Sequence, residues 1–106
     1  MADLVILSWR DIPAQVVVKA GRKSAKRELS KRFIEAIDRV AMRDGTVGTD
    51  AYLEEWRRSD PVAVGDDIEA EAEAAAARLE VEYDLEALKA LVAAAGRRVV
   101  DKGTTP

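Results

Sequence analysis

The sequence contains no cysteine and no histidine. Without cysteine there is no disulfide framework of the kind that staples small secreted domains. Without either residue a Cys/His zinc site has no ligands, and neither Ser-His-Asp nor Cys-His catalysis can be assembled. Proton chemistry is left to carboxylates, amines and the hydroxyls of Tyr and Ser. Aromatic residues are only 5% of the chain, so the core must be mainly Ala, Val and Leu, anchored by Trp9, Phe33, Tyr52, Trp56 and Tyr83. No apolar run approaches the ~18 residues of a membrane span. The opening MADLVILSWRD lacks the basic region and apolar length of a signal peptide. These absences lead to the expectation of a cytoplasmic, bacterial-type protein with no membrane association.

The 106 residues that are present fit one domain, 48% hydrophobic and 35% charged. Net charge is −3, unevenly spread. Residues 1–43 hold ten Lys/Arg and five Asp/Glu, a charge of +5; residues 44–106 hold seven and fifteen, a charge of −8. Such asymmetry suits either a basic patch for an anionic partner or two halves that attract each other on folding.

Leu4-Val5-Ile6-Leu7 is short and β-branched at its centre, so it reads as a strand. Pro13 breaks the pattern, because proline cannot sit inside a paired ladder. Gln15-Val16-Val17-Val18-Lys19 is a second strand ended by Gly21, and the two form an antiparallel hairpin. Both strands are apolar on both faces, so something beyond one helical layer must cover them, or the sheet must extend into a partner chain. That is the basis for expecting edge pairing in a homodimer.

Ser24 can cap a helix over 24–43, with Leu29, Phe33, Ile34, Ile37 and Val40 in one stripe. A short helix over 50–58 follows, then an apolar linker, PVAVGD. Asp66 and Glu69 resemble a capping box for a third helix, with Ile68, Ala72, Ala75, Ala76, Leu79 and Tyr83 inward. Asp84 caps a fourth over 85–95, stopped by Gly96. The predicted fold class is α+β: an N-terminal two-stranded β-hairpin followed by about four α-helices packed on it. The domain is expected to span 1–98, with a frayed tail over 99–106.

The segment 6–58, ILSWRDIPAQVVVKAGRKSAKRELSKRFIEAIDRVAMRDGTVGTDAYLEEWRR, resembles the bacterial virulence factor domain family. The resemblance rests on Trp-Arg-Asp-Ile-Pro-Ala-Gln at 9–15, on Ala36-Ile37-Asp38-Arg39, and on a Thr-Asp-x-Tyr-Leu-x-x-Trp run ending at Trp56. The acidic, alanine-rich helices over 66–96 lie outside its strongest part. Such domains occur as a terminal module of HEAT-repeat proteins named for a virulence phenotype, and as stand-alone α-proteobacterial proteins. The genes of the latter tend to lie beside folate- and corrinoid-dependent methyl-transfer enzymes. The resemblance therefore implies an accessory role in one-carbon metabolism or virulence-related regulation. It assigns no catalytic residue, metal ligand or cofactor.

Three groups are candidate contact residues. In Trp9-Arg10-Asp11, Arg10 could grip a carboxylate or phosphate in a two-pronged contact with Trp9 as a stacking platform. The structural alternative buries Trp9, pairs Arg10 with an acid of the 66–86 segment and bonds Asp11 to turn amides. The second group is Lys19, Arg22, Lys23, Lys26 and Arg27, with Lys31 and Arg32. Residues 19–32 carry +6 and precede a predicted helix N-terminus at Ser24. An anionic ligand or acidic partner suits this patch; so does pairing with the −8 of the 66–86 segment. Nucleic acid is disfavoured by a sequence pI near 5.0 and because the only interleaved aromatic, Phe33, reads as core. The third group is Trp56 with Arg57: with Tyr52 they form an aromatic face with a polar edge, suited to a partner or to closing the core. The carboxylates of 66–86 lack the glycine loop and carbonyl ligands of a calcium site, so no metal is assigned. The function expected is a non-catalytic binding module. The alternatives are a small enzyme subunit holding an anionic substrate with Arg10 and the 19–32 segment, or a weak nucleic-acid binder.

Overall fold

A computed structural model describes residues 2–97 of the protein. Three strands run first as a meander: β1 (Ala2–Trp9), β2 (Ile12–Ala20) and β3 (Lys23–Glu28). Helices α1 (Lys31–Asp44) and α2 (Asp50–Glu54) follow, then two three-residue strands, β4 (Trp56–Arg58) and β5 (Val62–Val64). The described chain ends with α3 (Ile68–Glu82) and α4 (Leu85–Ala93). All strands join one antiparallel sheet in the order β3-β2-β1-β4, with β5 also on β1.

The expected two-stranded hairpin is therefore corrected to a five-stranded sheet. Residues 23–28 are a strand, not the start of a helix. Their types (Lys, Ala, Arg, Glu) favour helix locally, but pairing with β2 overrides that preference. Ala20 and Lys23 are paired, so Gly21-Arg22 is a two-residue hairpin turn, and the positive φ of Gly21 (62°) suits its first position. Ser30, not Ser24, precedes the long helix. Trp56–Arg58 leaves the short helix to pair with Leu7–Trp9, and the PVAVGD linker becomes β5 against Ala2–Leu4. Between them Ser59 fills the gap on β1: its N–H donates to the Ile6 carbonyl (2.9 Å) and its Oγ accepts from the Ile6 N–H (2.8 Å).

One face of the sheet carries the core. Leu4, Val16, Val18 and Ala25 are buried there with Ala72, Ala75 and Leu79 of α3. The stripe of α1 (Phe33, Ala36, Ile37, Val40, Ala41) is buried as its spacing predicts, although Ile34 is 43% exposed. Gly45, at φ 70°, closes α1 in the left-handed conformation. The pairing of β1 with β2 shifts register after Leu7, where Ala14 is the extra residue. Alternation fails at that point, and Ile12, Pro13 and Ala14 are buried in succession. Asp67 caps α3 by accepting from the Ala70 N–H, and Asp84 caps α4 by accepting from the Ala87 N–H. The predicted boundary at 98 and the tail over 99–106 lie outside the described residues.

Phe33 and Met42 test the packing within one helix. Phe33 is fully enclosed, with its ring edge-on to Tyr83 at 6.2 Å; Met42 is 71% exposed. Phe33→Ala is expected to lower unfolding stability in urea by about 3–5 kcal/mol. Met42→Ala should stay within about 0.5 kcal/mol of the unsubstituted protein. Equal losses would contradict the assignment of the buried stripe.

Candidate interaction surface

Trp9 ends β1 with no exposed surface. Its indole N–H donates to the Tyr52 carbonyl (3.0 Å), and the two rings lie 5.6 Å apart. The next residue, Arg10, has φ 53°, a left-handed conformation uncommon outside glycine. It folds the guanidinium back over the Trp9 ring, 4.6 Å from its centroid. Trp9 and Arg10 therefore share a space, where a regular strand would have sent them to opposite faces.

Arg10 is itself buried, 8% exposed. Its Nη1 donates to Asp44 Oδ2 (2.8 Å) and to the Ala95 carbonyl (2.7 Å), and its Nε lies 3.4 Å from Glu55 Oε2. The Arg10 N–H donates to the Glu55 carbonyl and the Asp11 N–H to the Gly96 carbonyl. Gly96 sits at φ 78°, where a side chain is strained; a Cβ would make only ordinary contact with Arg10 Cδ (3.4 Å) and the Trp9 ring (3.5 Å), so the backbone and not the space favours glycine. Arg10 is thus paired with acids, as its structural alternative holds, but with Asp44 and Glu55 and not with the 66–86 segment.

The basic segment divides between the two faces of the sheet. Arg27 points to α3, where its Nη2 and Nε donate to Glu69 (2.7 Å) and Glu73 (2.8 Å). Those hydrogen bonds, Glu73's first and then Glu69's, push the guanidinium pKa above its ordinary value. The Glu80 carboxylate accepts from the N–H and Oγ of Ser30 (2.6 and 2.8 Å) and forms an ion pair with Arg32 (3.0 Å). The acidic helix lies against these cations from β3 and the start of α1. Arg22 and Lys23 are exposed in and beside the β2–β3 turn, well before α1 begins, so the AGRKS stretch is a strand turn and not a cradle at a helix start.

Lys19 and Lys26 lie on the opposite face, which no helix of the described residues covers. There Val5 pairs with Val17, and Leu7 with Gln15. Lys26 stands beside Val17 on β3, and Arg58 beside Leu7 on β4. The concavity these residues form is about 290 Å³, and strand residues alone line it. Val5, Leu7 and Val17 are half-buried there. Lys19, Lys26 and Arg58 have no side-chain hydrogen bond or ion pair among the described residues, and no carboxylate lines the concavity. Arg58, Val5, Leu7 and Val17 are additions to the candidates. Period-2 alternation in β1 and β2 contains the signal for the apolar three, whereas reading 50–58 as one helix hid Arg58.

Asp11 and Arg57 flank a shallow depression of about 330 Å³ beside Arg10, where cations and acids are mixed. Trp56 is half-buried with its ring edge-on to Tyr52 at 6.2 Å. Arg10 and Lys19 fall at opposite ends of the β1–β2 pair, about 20 Å apart at ~3.3 Å per residue. They do not converge on one substrate. Among the described residues, no helix is long and apolar enough to cross a membrane.

A family model described as "Virulence factor" matches residues 7–92, most of the chain, and the protein belongs to that family. The match includes the acidic helix α3 and nearly all of α4. No curated protein and no solved structure matches.

Arg10→Met keeps most of the side-chain length and removes the charge, leaving Asp44 without its partner and Glu55 with Arg97 alone (3.4 Å). Breaking a fully buried pair costs about 3–5 kcal/mol. Asp44 and Glu55 are 30% and 23% exposed, which lowers the expected loss to about 2–4 kcal/mol in urea unfolding. Arg10→Lys should recover less than half of it, because an ammonium lacks the planar fork that serves both faces of this site. An unchanged midpoint in Arg10→Met would show that the cluster contributes no net stability.

Proposed function

We propose that this virulence factor family member is a non-catalytic binding module that engages an acidic surface of a partner protein through the open face of its sheet. The observation that carries this reading is the concavity around Val5, Leu7 and Val17, rimmed by three cations without partners among the described residues. Apolar centres with charged rims are the common anatomy of protein interfaces. Of the other cations of the basic segment, Arg27 and Arg32 have been taken up within the chain, by Glu69, Glu73 and Glu80.

The competing readings fit the geometry less well. An anionic substrate held by Arg10 would have to displace Asp44 and the Ala95 carbonyl from a buried guanidinium. A single-stranded nucleic acid would want aromatic stacking, and no aromatic residue lines the concavity. A homodimer through the β3 edge would set side by side two strands that each carry Lys23, Lys26 and Arg27 against one acid, Glu28, so their net charges repel. An accessory role in the cytoplasm beside folate- or corrinoid-dependent methyl-transfer enzymes, or in virulence-related regulation, suits such a module. The larger protein would supply the acidic surface.

A photo-crosslinking amino acid in place of Lys26, tested in the cell of origin, should yield a discrete protein adduct. The same group in place of Arg78, which is exposed on the far side of α3, should not. Adducts from the Arg78 position alone, or from neither, would overturn the reading.

A further inference from the structure

We infer that the element docked on the open sheet face is an acidic amphipathic α-helix, an inference that rests on the acidic-partner reading. The sheet already binds one such helix on its other side. There α3 sets Ala72, Ala75 and Leu79 against Val16, Val18 and Ala25, while Glu69 and Glu73 reach Arg27 at the sheet's outer strand. The open face repeats these ingredients. Val5 and Val17 form a cross-strand pair, Leu7 extends it, and Lys26 and Arg58 stand on the strands to either side. An antiparallel sheet commonly leaves its second face polar and solvated, whereas this one sets Val5, Leu7 and Val17 there, an apolar centre suited to cover by a partner.

The dimensions set the helix. From β3 to β4 is three strand spacings, about 14 Å at ~4.8 Å each. A helix rising 1.5 Å per residue crosses that distance in about ten residues. Acids about eleven residues apart return to nearly the same side of a helix, because eleven residues make about three turns. One would meet Lys26 and the other Arg58, with medium-sized apolar residues between them on Val5, Val17 and Leu7. An extended segment would instead seek the outer edge of β3, where Lys23, Lys26 and Arg27 guard the strand.

The full chain, labelled with nitrogen-15, would be titrated at low salt with three synthetic peptides of equal length and charge. One is an acidic amphipathic helix with leucines at i, i+3, i+4 and i+7; one has the same composition in strict alternation; one is glutamate-rich without apolar residues. The helical peptide should bind at least tenfold more tightly than the others. It should gain helix on binding, shift amides around Val5, Leu7, Val17 and Lys19, and lose at least tenfold affinity in Lys26→Glu/Arg58→Glu. Preference for the alternating peptide, with shifts along β3, would overturn the helix but leave an acidic partner in place. Equal binding of all three would reduce the face to a charge patch, which also defeats the inference. Failure of every peptide would reject the helix, and the crosslinking result would then judge the acidic-partner reading separately.

Discussion

The Arg10 guanidinium lies against the Trp9 ring and binds Asp44 at the end of α1 and the Ala95 carbonyl beyond α4, with Glu55 beside it before β4. Few interactions in the domain join so many segments. Asp44 is 34 residues away in sequence and Ala95 is 85 away, so the contact exists only in the finished fold. Its geometry uses sparsely populated backbone at two ordinary residues, Arg10 (φ 53°) and Ala95 (φ 61°). Strain of that kind persists only where the surroundings over-determine it. The rest of the architecture goes with this closure: the helices lie to one side of the sheet, and the other side carries none of the described helices.

Charge then separates the two faces. The acidic half of the chain folds back on the basic half, as its opposite sign favours, and α3 takes Arg27, Ser30 and Arg32 as partners. This self-pairing was one of two readings of the charge asymmetry, and the structure divides the cations between them. Arg27 and Arg32 are spent on folding, whereas Lys19, Lys26 and Arg58 stand around an apolar centre. Strand alternation makes the division, because neighbours in β3 such as Lys26 and Arg27 face opposite ways.

What was legible in the sequence follows the strength of local periodicity. The centres of the first two strands, the buried stripe of α1 and the Asp84 cap stand where their patterns place them, but Pro13, expected as the break between the strands, lies inside β2 opposite Ser8, next to the bulge at Ala14. Three strands were missed. The third is built of helix-favouring charged residues with one buried alanine, so no periodicity marks it. The other two are three residues each, shorter than any alternation can reveal, and exist because β1 offers them an edge. In the site, Trp9 and Arg10 were identifiable as a unit, but the partners of Arg10 were not. Asp44 and Glu55 resemble any other surface acid until long-range packing brings them to it. Lys19 and Lys26 were visible as part of a basic run, but that they share a face could be seen only once 23–28 was known to be a strand.

The span from Arg10 to Ala95 also sets a schedule. At about 5–20 residues per second of synthesis, the 85 residues between them take roughly 4–17 s to make. During that interval the meander β1–β3 can form from neighbouring sequence, but α3 and α4 have not arrived, and both faces of the young sheet are bare. Such intermediates are prone to stick to one another along exposed strands. The charged outer strand Lys23–Glu28 is what a nascent chain then presents at its edge. Its lysines and arginine, which hid the strand from sequence reading, act as gatekeepers until translation delivers the carbonyl that closes the fold.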